Sequence, residues 1–244
     1  MKIVTIILIL FFSITTAKAQ VFGTQAMIEE ENIALRTWEE ENLKNYSGVY
    51  SFGESEAESS LHLSISNDMV CVQLEKGNWM IKNSKIVGWF KSYENFTNVK
   101  IRGNHFYSDQ SNGEFVFFEV GNKKYKGLKL VNPPIQTGEE GDYEIGSYSK
   151  FDEIGNYFNT KTTVISLDYI NKMNKEELKI MRNEIFARYH YEFKTKKMSE
   201  YFNKQKWYSG YYQNVDSFLT EIEKENIKRI LNAENIKTNN NNSK

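Results

Sequence analysis

The chain has 244 residues, with 31 Lys and Arg against 32 Asp and Glu and a formal net charge of −1. Nothing in that balance suggests a nucleic-acid surface, which would need clustered positive charge, and a single cysteine, Cys71, excludes an internal disulfide framework. A chain of this length without staples must rely on a real core, and it is long enough for two small domains.

Residues 1–19 read as a signal peptide: Lys2, an almost wholly apolar run from Ile3 to Ile14, then Ala17-Lys18-Ala19 before Gln20. The apolar run is too short to span a bilayer comfortably. No Cys stands at the new N-terminus to carry a lipid anchor, and no later stretch is apolar enough for a membrane span. The expectation is a soluble exported protein, periplasmic or extracellular, without stable membrane insertion after cleavage following Ala19. Losing Lys2 and Lys18 takes the net charge from −1 to about −3.

Residues 20–45 contain an acidic stretch, Met27 to Leu43, whose apolar members are Ile28, Leu35, Trp38 and Leu43. A short amphipathic helix is expected there, covering one end of the next domain.

From Ser47 the hydrophobic period changes to two, and residues 46–132 read as an antiparallel β-meander or small barrel. Ser47 to Phe52, Ser60 to Ser66, Met69 to Glu75, Trp79 to Lys82, Lys85 to Tyr93, Thr97 to Arg102, His105 to Ser108, Glu114 to Val120 and Lys124 to Val131 are the expected strands. Asn67-Asp68, Lys76-Gly77-Asn78, Gly103-Asn104, Asn112-Gly113 and Gly121-Asn122 supply turn signals. Asn132-Pro133-Pro134 stops the sheet, and residues 133–159 read as a linker, with Thr162 to Leu167 a further strand candidate.

Three helices are expected after it, at about 175–189, 196–204 and 220–233, with a tail over 236–244 expected to be disordered. Asn174 with Glu177, and Thr220 with Glu223, are capping boxes. Leu178, Met181, Ile185 and Tyr189, widened by Phe186, recur on one helix face.

Met181-Arg182-Asn183-Glu184-Ile185-Phe186-Ala187-Arg188-Tyr189-His190-Tyr191-Glu192-Phe193 resembles the signature of the YARHG domain, a module of exported bacterial proteins. Tyr201-Phe202, Trp207-Tyr208 and Glu223-Lys224-Glu225-Asn226-Ile227 follow in the family's order, so the resemblance covers about residues 160–235. Phe186, Tyr189 and His190 stand where the family has Tyr, His and Gly. If that Gly is a left-handed helix cap, His190 must take positive φ. The fold class is α+β: a β-meander or barrel, then a small YARHG-like helical domain.

For the chemistry, His62, His105 and His190 are far apart, without a second ligand at metal spacing. His62 alternates with Leu61 and Leu63 and is expected on the solvated face of its strand. Glu54, Glu56 and Glu58 fit no calcium template. Neither a nucleophile elbow, a zinc motif, a phosphate loop nor a dinucleotide fingerprint occurs, so neither cofactor nor catalytic residues are assigned. Leu178, Ile185, Phe186, Tyr189, Phe193, Phe202 and Trp207 are the expected core of the helical domain, with Trp207 a plug beneath Phe186 and Tyr189. Arg182, Asn183, Glu184 and Arg188 either tie the helix to loops or bind a partner. Tyr211 and Tyr212 are expected to be exposed, where rings can stack on sugars or anchor a protein.

The resemblance and the leader imply a non-enzymatic binding protein of the cell envelope, recognising cell-wall glycan or another exported protein. Two alternatives remain. A lipocalin-like carrier would need small inward residues in place of Trp79, Trp89 and Phe117. A hydrolase would need a cleft between domains with a carboxylate of raised pKa.

Overall fold

Alternation of apolar and polar residues makes the N-terminal half a sheet with one face inward. In β3 (Gly48–Phe52), Gly48, Tyr50 and Phe52 are buried, while Val49 and Ser51 between them are half-buried on the other face. The computed structural model describes residues 21–22, 33–53, 58–82, 85–131 and 143–242. Glu54 and Glu56 of the acidic loop, the leader and residues 133–142 of the expected linker lie outside these.

The sheet is antiparallel apart from β1 (Val21–Phe22), which pairs in parallel with β11 (Tyr143–Ser149). Its remaining strands are β2 (Leu35–Thr37), β4 (Ser59–Ser66), β5 (Met69–Lys82), β6 (Lys85–Asn95), β7 (Lys100–Arg102), β8 (His105–Tyr107), β9 (Asn112–Val120) and β10 (Lys123–Val131). The strand order is β6-β5-β4-β3-β11-β10-β9-β8-β7, with β2 on β9. Thus the meander closes by pairing its last strand with β3 and stays unpaired between β6 and β7. Those two lie at opposite ends of the order, yet only residues 96–99 separate them. A link that short spans at most about 17 Å, so the sheet must curl into a half-barrel.

The interior of the curl is filled. Tyr46 stacks on Phe115 at 3.9 Å between ring centroids, and Trp38 meets Tyr46 edge-on at 5.0 Å. Leu61, Leu63, Phe106 and Leu128 are fully buried around them. Truncating one such aromatic side chain costs about 3–5 kcal/mol. Large aromatics do occupy the interior, but Trp79 and Trp89 are not among them: they are 48% and 40% exposed on an outlying hairpin.

Several expectations are corrected. Among the described residues of the acidic segment there is no amphipathic helix: Leu35–Thr37 pair with β9, and Leu43–Tyr46 form a 3-10 turn. Trp38 faces inward and its carbonyl accepts from Tyr46 Oη, so edge pairing and aromatic burial outweigh helical propensity. Lys76-Gly77-Asn78 is no turn; β5 runs straight through it. The reason is cross-strand: the Trp89 indole lies over Gly77, where a Cβ would sit 2.0 Å from Trp89 Cζ2. Only glycine leaves room for that ring. The expected linker contains β11, a central strand with Ile145 buried, so the sheet extends past Pro134.

The C-terminal part has five helices: α1 (Asn159–Thr162), α2 (Leu167–Lys172), α3 (Lys175–Arg188), α4 (Lys196–Phe202) and α5 (Glu221–Asn242). Thr162 to Leu167 is not a strand; it leaves α1 and enters α2. The final helix runs to Asn242, into the stretch expected to be disordered. Both capping boxes form: Asn174 Oδ1 accepts from Glu177 N–H at 3.0 Å and Glu177 Oε2 from Asn174 N–H at 2.7 Å, with Thr220 and Glu223 reciprocating in the same way.

Helix α3 serves two cores. Leu178, Met181, Ile185 and Tyr189 pack with Ile170 and Ile230, whereas Ala187 packs with Phe193, Met198 and Phe202. Phe186 touches both clusters. Phe193 stacks on Phe202 at 4.6 Å. Trp207 joins the Phe202 cluster half-buried instead of plugging beneath Tyr189, which is buried in the other core.

Candidate functional site

The outer face of β4, β5 and β6 carries a polar row that the core face gives no reason for. Register places Ser60 opposite Glu75 and Glu75 opposite Tyr93; in the next row His62 faces Gln73 and Gln73 faces Asn95. The helical part sits on this face. Asn95 Nδ2 donates to the carbonyls of Ser217, Phe218 and Leu219 at 3.1–3.2 Å, and Gln73 Nε2 donates to Phe218 O. Tyr189 Oη reaches Gln73 Oε1 at 3.0 Å and Glu223 Oε2 at 2.7 Å, fastening α3 to both the sheet and α5. Backbone groups left unpaired by the short 3-10 turn Asp216–Phe218 thereby find partners on the sheet, as buried carbonyls must.

Between the two layers lies a cavity of about 330 Å³. Its polar lining includes His62, Glu75, Lys91, Lys161 and Arg188. Its aromatic walls are Tyr93, Phe151, Phe158 and Trp207. Lys161 Nζ lies 3.1 Å from His62 Nδ1 and donates to it; the other ring nitrogen, Nε2, lies 3.5 Å from Glu75 Oε2. Glu75 Oε1 in turn pairs with Lys91 Nζ at 2.6 Å. Burial first, and then the Lys161 charge, push His62 down to about 4, so its imidazole is neutral at pH 7. Burial also lowers Lys161. Burial alone would raise Glu75, but His62 and Lys91 outweigh it and hold the carboxyl far below the usual range. The cleft imagined for a hydrolase therefore exists, but this carboxylate is held ionised, the opposite of a general acid.

Lys161 is set in place by its neighbours on α1. Asn226 of α5 accepts from Ile165 N–H at 2.8 Å and donates to the carbonyls of Thr160 and Thr163 at 2.9 and 2.8 Å. Arg188 donates through Nη2 to Thr160 Oγ1 and through Nη1 to Glu184 at 3.0 Å. The Arg188 side chain is 8% exposed, and its Nε has no hydrogen-bond partner among the described residues.

Helix α3 ends beside the cavity in a left-handed cap. His190 has φ +60°, as its place at the family's Gly requires. Its N–H donates to Ala187 O at 2.9 Å and that of Tyr191 to Phe186 O at 3.2 Å, while the Phe186 and Tyr191 rings meet at 6.1 Å. Those two bonds and that contact make up a Schellman motif. The imidazole then stacks on Tyr211 at 4.6 Å and donates from Nδ1 to Ser209 O at 3.0 Å.

The six polar and tyrosine candidates fall in different places. Arg188 reaches the cavity. Glu184 is buried and accepts from the N–H groups of Asn156 and Tyr157 at 2.9 and 2.7 Å. It comes so close to Gly155, at φ +90°, that a Cβ there would lie 2.4 Å from its Oε1. Arg182 pairs with Glu234 at 2.7 Å, and Asn183 donates back to Lys179 O at 2.7 Å. Both also line a separate, open groove of about 310 Å³ with Phe186, Tyr191 and residues 213–216. Tyr211 and Tyr212 are half-buried rather than exposed: Lys91 N–H donates to Tyr211 Oη at 3.2 Å and Tyr212 Oη donates to Lys91 O at 2.8 Å, which clamps β6.

Sequence reasoning missed Glu75, Lys91 and Lys161, and it placed His62 in solvent. His62 does point away from Leu61 and Leu63, but the helices cover that face and leave its side chain 13% exposed. The available signal was the run of polar residues on the outer positions of three consecutive strands. His105 is exposed. Among the described residues no group of His, Cys, Asp and Glu is placed to hold a metal, and no helix is long and apolar enough to cross a membrane.

Residues 156–235 match the family model of the YARHG domain, so this is a YARHG-domain-containing chain, with the domain formed by α1 to α4 and most of α5. Neither a curated protein nor a solved structure matches the chain.

Proposed function

We propose that this is an exported, non-enzymatic recognition protein of the bacterial envelope, and that the cavity between sheet and YARHG domain receives a polar group of cell-wall glycan or of another exported protein. The YARHG domain is not a known catalytic domain and occurs in exported proteins, which supports the class. The observation that carries the reading is the cavity itself. Arg188 of the family signature, with Tyr189 and His190 at the two positions where the chain departs from it, meets a charged sheet row there, around a space of about 330 Å³. That volume is at the small end of ligand pockets, the size of one sugar or amino-acid unit. Trp207 and Tyr93 offer faces for a ring, and Lys161 and Arg188 offer donors for a hydroxyl or carboxylate.

The test is co-sedimentation of the mature protein with purified, membrane-free sacculi, beside pull-down from a membrane-free envelope extract. Wild type that binds, with binding lost in Lys161→Met, supports the reading. Binding unchanged in both Lys161→Met and Trp207→Ala would remove the cavity from recognition. A wild type that retains nothing from either source would overturn the proposal.

A further inference from the structure

Beyond Lys91, which belongs to the cavity lining, the β5–β6 hairpin has no role in the site just described. β4 pairs with β5 only as far as Lys76, where Ser59 is its partner. Beyond that point β5 continues to Lys82, paired with β6 alone down to Lys82 opposite Lys85. Residues 77–82 and 85–91 thus form a two-stranded ribbon that extends about 20 Å past the sheet. A free ribbon is a marginal structure in water unless something packs on it.

Its composition is unlike the rest of the chain. From Lys76 to Tyr93 there are four lysines, Lys76, Lys82, Lys85 and Lys91, and no Asp or Glu, in a protein whose net charge is −1. The same span holds Trp79, Met80, Ile81, Ile86, Val87, Trp89 and Phe90. Trp79 and Trp89 face each other across the ribbon, edge-on at 4.9 Å, and stand 48% and 40% exposed; Ile86 near the tip is 66% exposed. Large exposed apolar side chains gathered in one patch need a partner. Lys91 is already engaged with Glu75 at the base, whereas Lys82 and Lys85 are the last pair of the ladder, at the end of the ribbon away from the sheet.

We propose that this ribbon is a docking arm for an anionic lipid surface. An exposed isoleucine and two exposed indoles on a ribbon whose only charged residues are lysines match the layering of a bilayer interface. Ile86 reaches the acyl boundary, Trp79 and Trp89 sit at headgroup level, and the lysines pair with acidic headgroups. No acidic residue stands within the span to oppose the approach, which distinguishes a lipid surface from a basic or neutral partner. Docking is peripheral, at the depth of a few side chains. It would place the cavity near the membrane and is independent of what the cavity holds.

The experiment is flotation of the full mature protein with vesicles of phosphatidylglycerol and phosphatidylcholine, compared with phosphatidylcholine alone. Wild type is expected to float with the anionic vesicles, with a blue shift in tryptophan emission, and to be released by 0.5 M salt. Lys82→Glu/Lys85→Glu is expected to reduce vesicle partitioning at least tenfold, and Trp79→Ser/Trp89→Ser to abolish it. The charge variant alters only the tip, so it keeps the test valid if loss of the Trp89–Gly77 contact impairs folding. No flotation of wild type would overturn the proposal, as would flotation that neither variant diminishes. Concentration-dependent dimerisation lost in the tip variant, without vesicle binding, would show that the arm meets a second copy, which also overturns it.

Discussion

The ammonium of Lys161 on α1 donates to Nδ1 of His62 on β4 across 3.1 Å, joining the YARHG domain to the outer face of the sheet through a neutral histidine. A protonated His62 would present an N–H to that ammonium in place of a lone pair. Neutrality of His62 is therefore a condition of that contact.

Stability should fall on acidification through this pair. The free histidine titrates near 6.5, and His62 in the fold near 4. Below about pH 6.5 the unfolded chain takes up a proton that the folded chain refuses. The stabilisation is complete above 6.5 and is lost as pH drops towards 4. Between pH 7 and 4.5 the loss amounts to about 2 kcal/mol. Urea titrations of wild type and His62→Gln at both pH values check it: the variant should lack that share of the decrease, and equal decreases would show that His62 is not the group responsible.

Asn226→Ala should destabilise the protein by about 3 kcal/mol, because it strands one buried N–H and two carbonyls at once. Denaturant unfolding measures this. A loss below about 1 kcal/mol would mean that water replaces the amide and that α1 is not held by it.

At the left-handed cap, His190→Gly relieves strain of about 1 kcal/mol while giving up a ring stack of about 0.5–1 kcal/mol. The net change should stay within about 1 kcal/mol of zero. His190→Ala keeps the strain and loses the stack, so it should fall clearly below the glycine variant. If Ala and Gly melt together, the positive φ carries no cost.

Trp207 is half-buried, so Trp207→Ala should cost about 1–2 kcal/mol, less than the 3–5 kcal/mol of a fully buried aromatic. Because the indole lines the cavity, the same variant should lose sacculus or partner retention while remaining folded at 25 °C. Thermal melting and co-sedimentation on one preparation separate the two effects.

The elements that were legible in the sequence are those governed by local physics. Period-two alternation from Gly48 onward marks strands because a pleated backbone turns alternate side chains to opposite faces. Asn174 and Thr220 mark helix starts because unpaired N–H groups need an acceptor. His190 had to accept positive φ because the helix that ends there closes in a left-handed cap. The ordered blocks from Met181 to Ile227 were sufficient to recognise the YARHG domain.

What lay beyond reach depended on which surfaces meet. Gly77 looks like a turn until Trp89 is laid across it from the neighbouring strand. Leu35–Thr37 look helical until the free edge of β9 is available to pair with, and β11 is hidden behind two prolines because one of its partners, β3, is distant in sequence. The same holds for the site. His62, Glu75, Lys91 and Lys161 come from four separate elements, and each is an ordinary polar residue in its own segment. Only when the helices cover the sheet does burial strip their water, force them to pair with one another, and turn a solvated strand face into a lined cavity.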